Sequence, residues 1–154
     1  MAKNRCIGKE DKIPWYHPDD FKWFKEFTMG KRLVVGRKTF KTLPVKLKGR
    51  NISVITTEKG SPFYYGSAFD FENAHRASIE SVIEESKSPR NWEFVIIGGK
   101  SIYEQFMPHI TEFYVTQLNA EHEGDTFMSP FEDFFIKREI IKEFDFGQVL
   151  KYSK

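Results

Sequence analysis

A single cysteine, Cys6, excludes an internal disulfide framework and fits a reducing compartment. No apolar run approaches the roughly 18 residues of a membrane span. The opening Met1-Ala2-Lys3-Asn4-Arg5-Cys6 lacks the apolar core of a secretion signal. An excess of one charge is missing too. The 24 basic and 22 acidic residues leave a net charge of +2, whereas general nucleic-acid binding calls for a strong basic excess. The histidines, His17, His75, His109 and His122, stand at no metal-ligand spacing. No nucleophile–base arrangement stands out. There is no G-x-G-x-x-G, and the P-loop pattern fails because Phe94 stands five residues before Gly99, where a glycine is required. These absences predict a soluble cytoplasmic protein with no metal, no membrane and no nucleic-acid partner.

What is present is an ordinary globular balance, 40% hydrophobic and 30% charged, over 154 residues. That length suits one domain with a real core. Phenylalanine is unusually common, with 16 copies, which predicts an aromatic-rich core or a pocket for a planar ligand. Short β-branched runs alternate with helical patterns, so the fold class is α/β. Strands are expected at Arg32 to Val35, Ile52 to Thr56, Phe63 to Tyr65, Glu93 to Ile97 and Glu112 to Leu118. Helical patterns cover Thr39 to Thr42, Ala77 to Lys87 and Ile102 to Met107. Phe134 to Phe144 and Gln148 to Tyr152 read as a hairpin around Asp145-Phe146-Gly147.

The most informative residue is Asp20. Pro18 suits the opening of a helix. At helical spacing Phe21, Trp23, Phe24 and Phe27 form an apolar stripe, with Lys22, Lys25 and Glu26 opposite. Asp20 falls in the middle of that stripe, where an unused carboxylate is costly. As a bland first-turn acid favoured by the helix dipole, Asp19 fits better, because it sits at the polar edge. Asp20 could instead hold a nitrogen-rich ring or manage a proton.

Three other segments carry candidate chemistry, each with a plain alternative. Gly98-Gly99-Lys100-Ser101 follows a buried strand and opens a helix, as a phosphate site does; most such turns are only structural. Gly36-Arg37-Lys38-Thr39 offers backbone N–H groups, two cations and a hydroxyl, or is a solvated loop. Lys46-Leu47-Lys48-Gly49-Arg50 could hold a carboxylate through a bidentate Arg50, or be a basic loop.

In order and spacing these segments resemble dihydrofolate reductase, from Ile7-Gly8 through nearly the whole chain. The most specific parts are Pro14-Trp15; Asp20 with Phe24; Gly36-Arg37-Lys38-Thr39; Leu47 with Gly49-Arg50; Ile97-Gly98-Gly99 followed by Tyr103; and Glu123-Gly124-Asp125-Thr126. The resemblance implies a three-layer fold with a central, mostly parallel sheet, an antiparallel C-terminal hairpin and helices on both faces. It implies one domain, with residues 31–90 as an approximate adenosine-binding lobe. It further implies hydride transfer from NADPH to 7,8-dihydrofolate, with Asp20 gripping the 2-amino and N3 edge of the pterin and promoting protonation at N5. Ile13, Trp15, Phe21, Phe24, Leu43, Leu47 and Thr116 would complete the substrate pocket, and Arg50 would hold the α-carboxylate of the glutamate tail. Arg37, Lys38, Thr39, Thr56 and Thr57 would meet the 2′-phosphate side and pyrophosphate of the cofactor. Ile97, Gly98, Gly99, Lys100, Ser101 and Ile102 would cradle its pyrophosphate and nicotinamide, beside Tyr103. Lys9 to Trp15 would be a closing loop held by Asp125.

The match departs from the family at Lys100, where a small residue is common, and at Ser101, where a basic residue often stands. The family also has a hydrophobic mid-sheet strand ahead of the segment beginning here at Ala2, and Met1 to Cys6 is too short and too polar to replace it. Loss of such a strand exposes backbone groups at roughly 1–3 kcal/mol per buried group. The expectation is that residues upstream of Met1 supply the strand, that the sheet closes differently or through another chain, or that reductase activity is lost. Otherwise the protein is expected to be a monomer. The alternatives are a non-catalytic binding or structural protein on the same fold, or a related pteridine or flavin-pathway reductase.

Overall fold

The run Arg32-Leu33-Val34-Val35 is short, β-branched and stopped by Gly36, and it forms the strand its composition predicts. In the computed structural model, which describes residues 1–43, 47–57, 73–90 and 92–154, this is β2 (Arg32–Gly36). It pairs in parallel with β3 (Asn51–Ile55) and β5 (Phe94–Ile96), and β3 pairs in parallel with β4 (Ala74–Ala77). The resulting four-stranded sheet runs β4-β3-β2-β5. One of its faces carries the core formed by Leu33, Val35, Ile52 and Val54 with Phe40 and Leu47. Helices α2 (Arg37–Thr42), α3 (Ile79–Ser86) and α4 (Lys100–Phe106) belong to the same stretch of chain. Ser78 starts α3 through a reciprocal bond with Ser81, which satisfies two otherwise orphaned amides.

β4 escapes sequence reading because Ala-His-Arg-Ala has no apolar alternation; parallel pairing to β3, with a 3.0 Å bond between Ser53 Oγ and His75 Nε2, makes it a strand. β5 is half-buried along its length, although Phe-Val-Ile suggests burial on both faces. It ends the strand order, with β2 as its neighbour. The expected strand at Phe63 to Tyr65 lies outside the described residues.

The chain divides into two compact units, one of residues 1–23 and 107–154 and one of residues 24–106. The division falls within α1 (Pro18–Thr28). In the first unit β6 (Glu112–Leu118), β9 (Gly147–Ser153) and β8 (Lys137–Phe144) form an antiparallel sheet in the order β6-β9-β8. β8 begins later than the apolar pattern suggests, because residues Glu132–Phe134 wind into a 3-10 turn first. Two short strands, β1 (Cys6–Gly8) and β7 (Thr126–Phe127), pair antiparallel. The N-terminal residues add main-chain bonds to this unit. Leu118 N donates to Met1 O at 2.9 Å and Lys3 N to Ala120 O at 2.9 Å. Phe113, Phe131, Phe135 and Tyr152 pack as edge-on and stacked rings, with Phe131 fully buried. Part of the chain's phenylalanine excess goes into this core. Among the described residues no helix is long and apolar enough to cross a membrane.

Candidate active site

Helix α1 presents Phe21, Trp23, Phe24 and Phe27 as half-buried side chains, while Lys22, Lys25 and Glu26 are exposed. Asp20 is half-buried in the first turn. Its backbone N–H donates to His17 O at 3.1 Å. Its carboxylate Oδ1 accepts a hydrogen bond of 2.5 Å from Thr116 Oγ1 on β6. A hydroxyl donating to a carboxylate is among the stronger hydrogen bonds, and its length is of that kind. This contact keeps the acid acceptable on an apolar face and leaves it acceptor capacity to spare. Met1 is close by: its α-amino nitrogen donates to Thr116 O at 2.7 Å. Burial pushes that amine down to about 6, while the charge of Asp20 acts in the opposite direction.

The segment before α1 is held by the connection between β6 and β7 in the same unit. Lys9 and Lys12 exchange both main-chain bonds around Glu10 and Asp11, two non-glycine residues at positive φ. Asp125 Oδ2 accepts the Glu10 N–H at 2.8 Å, and Thr126 donates to Oδ1 at 2.8 Å. These bonds, the Glu10 amide first, hold the Asp125 carboxyl below its ordinary range. Trp15 is half-buried with its ring 5.0 Å from that of His122. Ile13 is 54% exposed. Phe21 lies 5.5 Å, centroid to centroid, from Tyr16.

In the second unit, the turn after β5 meets the end of β2. Ile97 N donates to Val34 O at 2.8 Å and Gly36 N to Gly98 O at 2.7 Å. The Gly98–Gly99 peptide is cis, and Gly98 has φ +110°. The space about these glycines is closed to side chains. A Cβ at Gly98 would lie 3.1 Å from the Tyr103 ring, one at Gly99 2.8 Å from Thr39 Oγ1, and one at Gly36 2.9 Å from Ile102. Thus Gly36, Thr39, Gly98, Gly99, Ile102 and Tyr103 are brought together as a cradle of bare backbone. Burial pushes the Tyr103 hydroxyl up to about 12, so it remains a neutral donor. Arg37 is half-buried, Lys38 and Thr57 are exposed, and Thr56 is half-buried. Lys100 pairs with Glu104 at 3.7 Å, and exposed Ser101 accepts from Gln105 at 2.9 Å through its carbonyl. Those two positions carry structural bonds of α4.

Arg50 is only 5% exposed, not a solvated basic residue. Its Nη1 donates to Thr28 Oγ1 at 3.0 Å and its Nε to Lys48 O at 3.2 Å. Burial lowers its pKa. Among the described residues no carboxylate pairs with it. Leu47 is a member of the hydrophobic core, and Phe24 and Leu43 pack against that core, so all three have structural as well as candidate binding roles. Lys46 lies outside the described residues. Sequence reasoning missed Thr28, which bridges Phe24 O and the guanidinium; a threonine one turn beyond Phe24 was its only signal.

The α/β chain thus carries a carboxylate on an aromatic helix face, a buried guanidinium with no carboxylate partner among the described residues, and a closed double-glycine turn. The family model for dihydrofolate reductase matches residues 1–147. The dihydrofolate reductase of Neisseria meningitidis serogroup A is 39% identical over 127 residues, covering 82% of this chain and 73% of the relative. That of Bacillus subtilis is 31% identical over 133 residues, covering 86% and 74%. Among solved structures, dihydrofolate reductase from Enterococcus faecalis, complexed with NADP(H) and RAB-propyl, superposes with a TM-score of 0.77 at 25% identity, covering 99% of this chain and 91% of that one. The chain belongs to the dihydrofolate reductase family.

Proposed function

We infer that the protein reduces 7,8-dihydrofolate to 5,6,7,8-tetrahydrofolate with NADPH. The observation that carries this reading is the Asp20 carboxylate, set on an apolar helix face and held by Thr116. Asp20 accepts from the 2-amino and N3 edge of the pterin, a fixed pair of charge-assisted bonds. Thr116 fixes the carboxylate's orientation. The held ring is then favoured for protonation at N5. Trp15 holds a pocket water, and Ile13, Phe21, Phe24, Leu43 and Leu47 flank the ring and the benzoyl group. Arg50 takes the α-carboxylate of the glutamate tail, a counter-charge that its buried guanidinium does not find among the described residues.

NADPH supplies a hydride when bound. The closed cradle of Gly36, Gly98 and Gly99 suits a group that needs close backbone approach. Ile97, Gly98, Gly99, Lys100, Ser101 and Ile102 are assigned to its pyrophosphate and nicotinamide parts, with Tyr103 beside the nicotinamide. Arg37, Lys38, Thr39, Thr56 and Thr57 are assigned to its 2′-phosphate side, within an adenosine-binding lobe of roughly residues 31–90. Asp125 holds the Lys9 to Trp15 loop through the Glu10 amide. Positioning and exclusion of water supply most of the acceleration. The same reading makes the protein a cytoplasmic monomer with no nucleic-acid or membrane partner, in keeping with its near-balanced charge.

The test is NADPH oxidation followed by absorbance. Oxidation is expected only when dihydrofolate is present. Oxidation independent of dihydrofolate, or none with both compounds supplied, overturns the reading.

A further inference from the structure

The hairpin turn between β8 and β9 carries a phenylalanine that the reading above does not use. Phe146 lies flat on the imidazole of His17, with ring centroids 3.9 Å apart and planes 4° from parallel. Its other ring neighbour is Phe144, at 4.7 Å and 11°. Lys142 Nζ stands 5.3 Å from the Phe144 centroid. The turn is itself anchored, since Asn119 N donates to Phe146 O at 2.9 Å. His17 is the residue from which α1 starts. Its carbonyl accepts the N–H groups of Asp20, at 3.1 Å, and Phe21, at 3.2 Å. Pro18 follows it and fixes φ at the first helical position.

We propose that the Phe146–His17 stack is a positioning device for Asp20: the hairpin turn clamps the residue whose carbonyl carries the first turn of α1, and so sets where the carboxylate stands. The inference rests on the dihydrofolate reductase reading for its kinetic consequence but not for its structural one. Helix starts fray, because their first amides lack partners within the helix. Asp20 is in that first turn, three residues from His17, so its carboxylate inherits any movement there. Thr116 fixes one oxygen from β6, and the stack fixes the backbone from the hairpin. Two anchors from different elements define an orientation that one cannot. Flat contact between two rings holds both in place beyond what their burial alone does, and so favours a formed terminal turn. A misplacement of about 1 Å can cost on the order of 10²-fold in rate.

The experiment compares wild type with Phe146→Ala, Phe146→Tyr, His17→Ala and the double variant His17→Ala/Phe146→Ala. Single-turnover hydride transfer is measured alongside amide hydrogen exchange. Phe146→Ala is expected to slow transfer about tenfold, with little change in NADPH affinity, and Phe146→Tyr to restore it. The double variant should be no slower than the worse single one, because both remove the same contact. Exchange at the Asp20 and Phe21 amides should quicken in Phe146→Ala, while that at Val34 and Val35 stays unchanged. Wild-type transfer speed in Phe146→Ala, or additive losses in the double variant, overturns the proposal. If wild type itself shows no turnover, the functional reading fails, and the exchange rates alone decide the clamp: unchanged Asp20 and Phe21 amides sink it.

Discussion

Asp20 and Arg50, one in each unit, are satisfied in opposite ways. In residues 1–23 and 107–154 each acid discussed is answered within the unit. Asp20 has Thr116, Asp125 has the Glu10 amide and Thr126, and Glu132 has Arg5. In residues 24–106 the partners of the buried Arg50 among the described residues are neutral, Thr28 Oγ1 and Lys48 O. Burying a charge without its counter-charge is expensive, so the second unit pays in stability for a waiting cation. A neutral heteroaromatic ring asks for an acceptor already held in shape, whereas a carboxylate tail asks for an unpaired guanidinium. Each unit therefore offers a different kind of group, a held acceptor in the first and a buried cation in the second.

Substitutions can break each side separately. The largest effect is expected from Asp20→Asn, which keeps shape and the bond from Thr116 but removes the charge and a pair of acceptor sites. Hydride transfer should fall by about 10²–10⁴-fold, with NADPH affinity measured by fluorescence titration unchanged. Equal turnover would show that Asp20 is only a helix acid. Next comes Arg50→Gln. Charged hydrogen bonds contribute about 1.5–3 kcal/mol, so KM for dihydrofolate should rise roughly 10–100-fold while kcat changes little. A pterin analogue without the glutamate tail should bind both proteins alike. If it also weakens, Arg50 is serving the fold and not the tail. A smaller effect is expected from Gly98→Ala. The φ of +110° and the Tyr103 ring 3.1 Å from the added Cβ oppose it. Strain of this kind costs about 1–3 kcal/mol, and NADPH affinity should drop about tenfold or more, with the site of Asp20 left intact.

Much of this contrast was legible in the chain, and its gaps have physical causes. Asp20 stood out because helical periodicity exposes one wrong residue on an apolar face. Strands β2, β3 and β6 announced themselves by β-branched runs. Arg50 was visible as a cation near Leu47, but its burial was not, because that depends on Thr28, 22 residues away. β4 was silent because its four residues have no apolar alternation, and its bonds to β3, the Ser53–His75 side-chain contact included, reach 22 residues back. β1 and β7 were silent because strands of three and two residues have no period to read. The His17–Phe146 stack joins residues 129 positions apart, and nothing local in either segment signals the other. Met1 and Lys3, read as too polar to act as a strand, still bond to Leu118 and Ala120 through their backbones, which side-chain character does not reveal.

The smallest predicted effect tests whether the first unit's acids are held by charge or only by shape. Arg5 donates from Nη1 and Nη2 to both Glu132 oxygens, at 2.8 and 3.2 Å, from Nη2 also to the Ser129 carbonyl, and from Nε to the Met128 carbonyl. The Arg5 bond, first among the causes, holds the Glu132 carboxyl down at about 2 against an ordinary 4.5. A depressed acid stabilises the fold above its unfolded value, and that contribution disappears as pH falls through the folded one. Glu132 is 45% exposed, so solvent screening leaves only about 1 kcal/mol near neutral pH. Glu132→Gln should therefore unfold in urea at a lower midpoint than wild type at about pH 7. The two midpoints should converge between about pH 4.5 and pH 2, where wild type loses the same charge. A gap that stayed constant across that range would assign the contact to packing and geometry. The first unit's acids would then be satisfied by shape, and the contrast with the waiting charge of Arg50 would be one of burial alone.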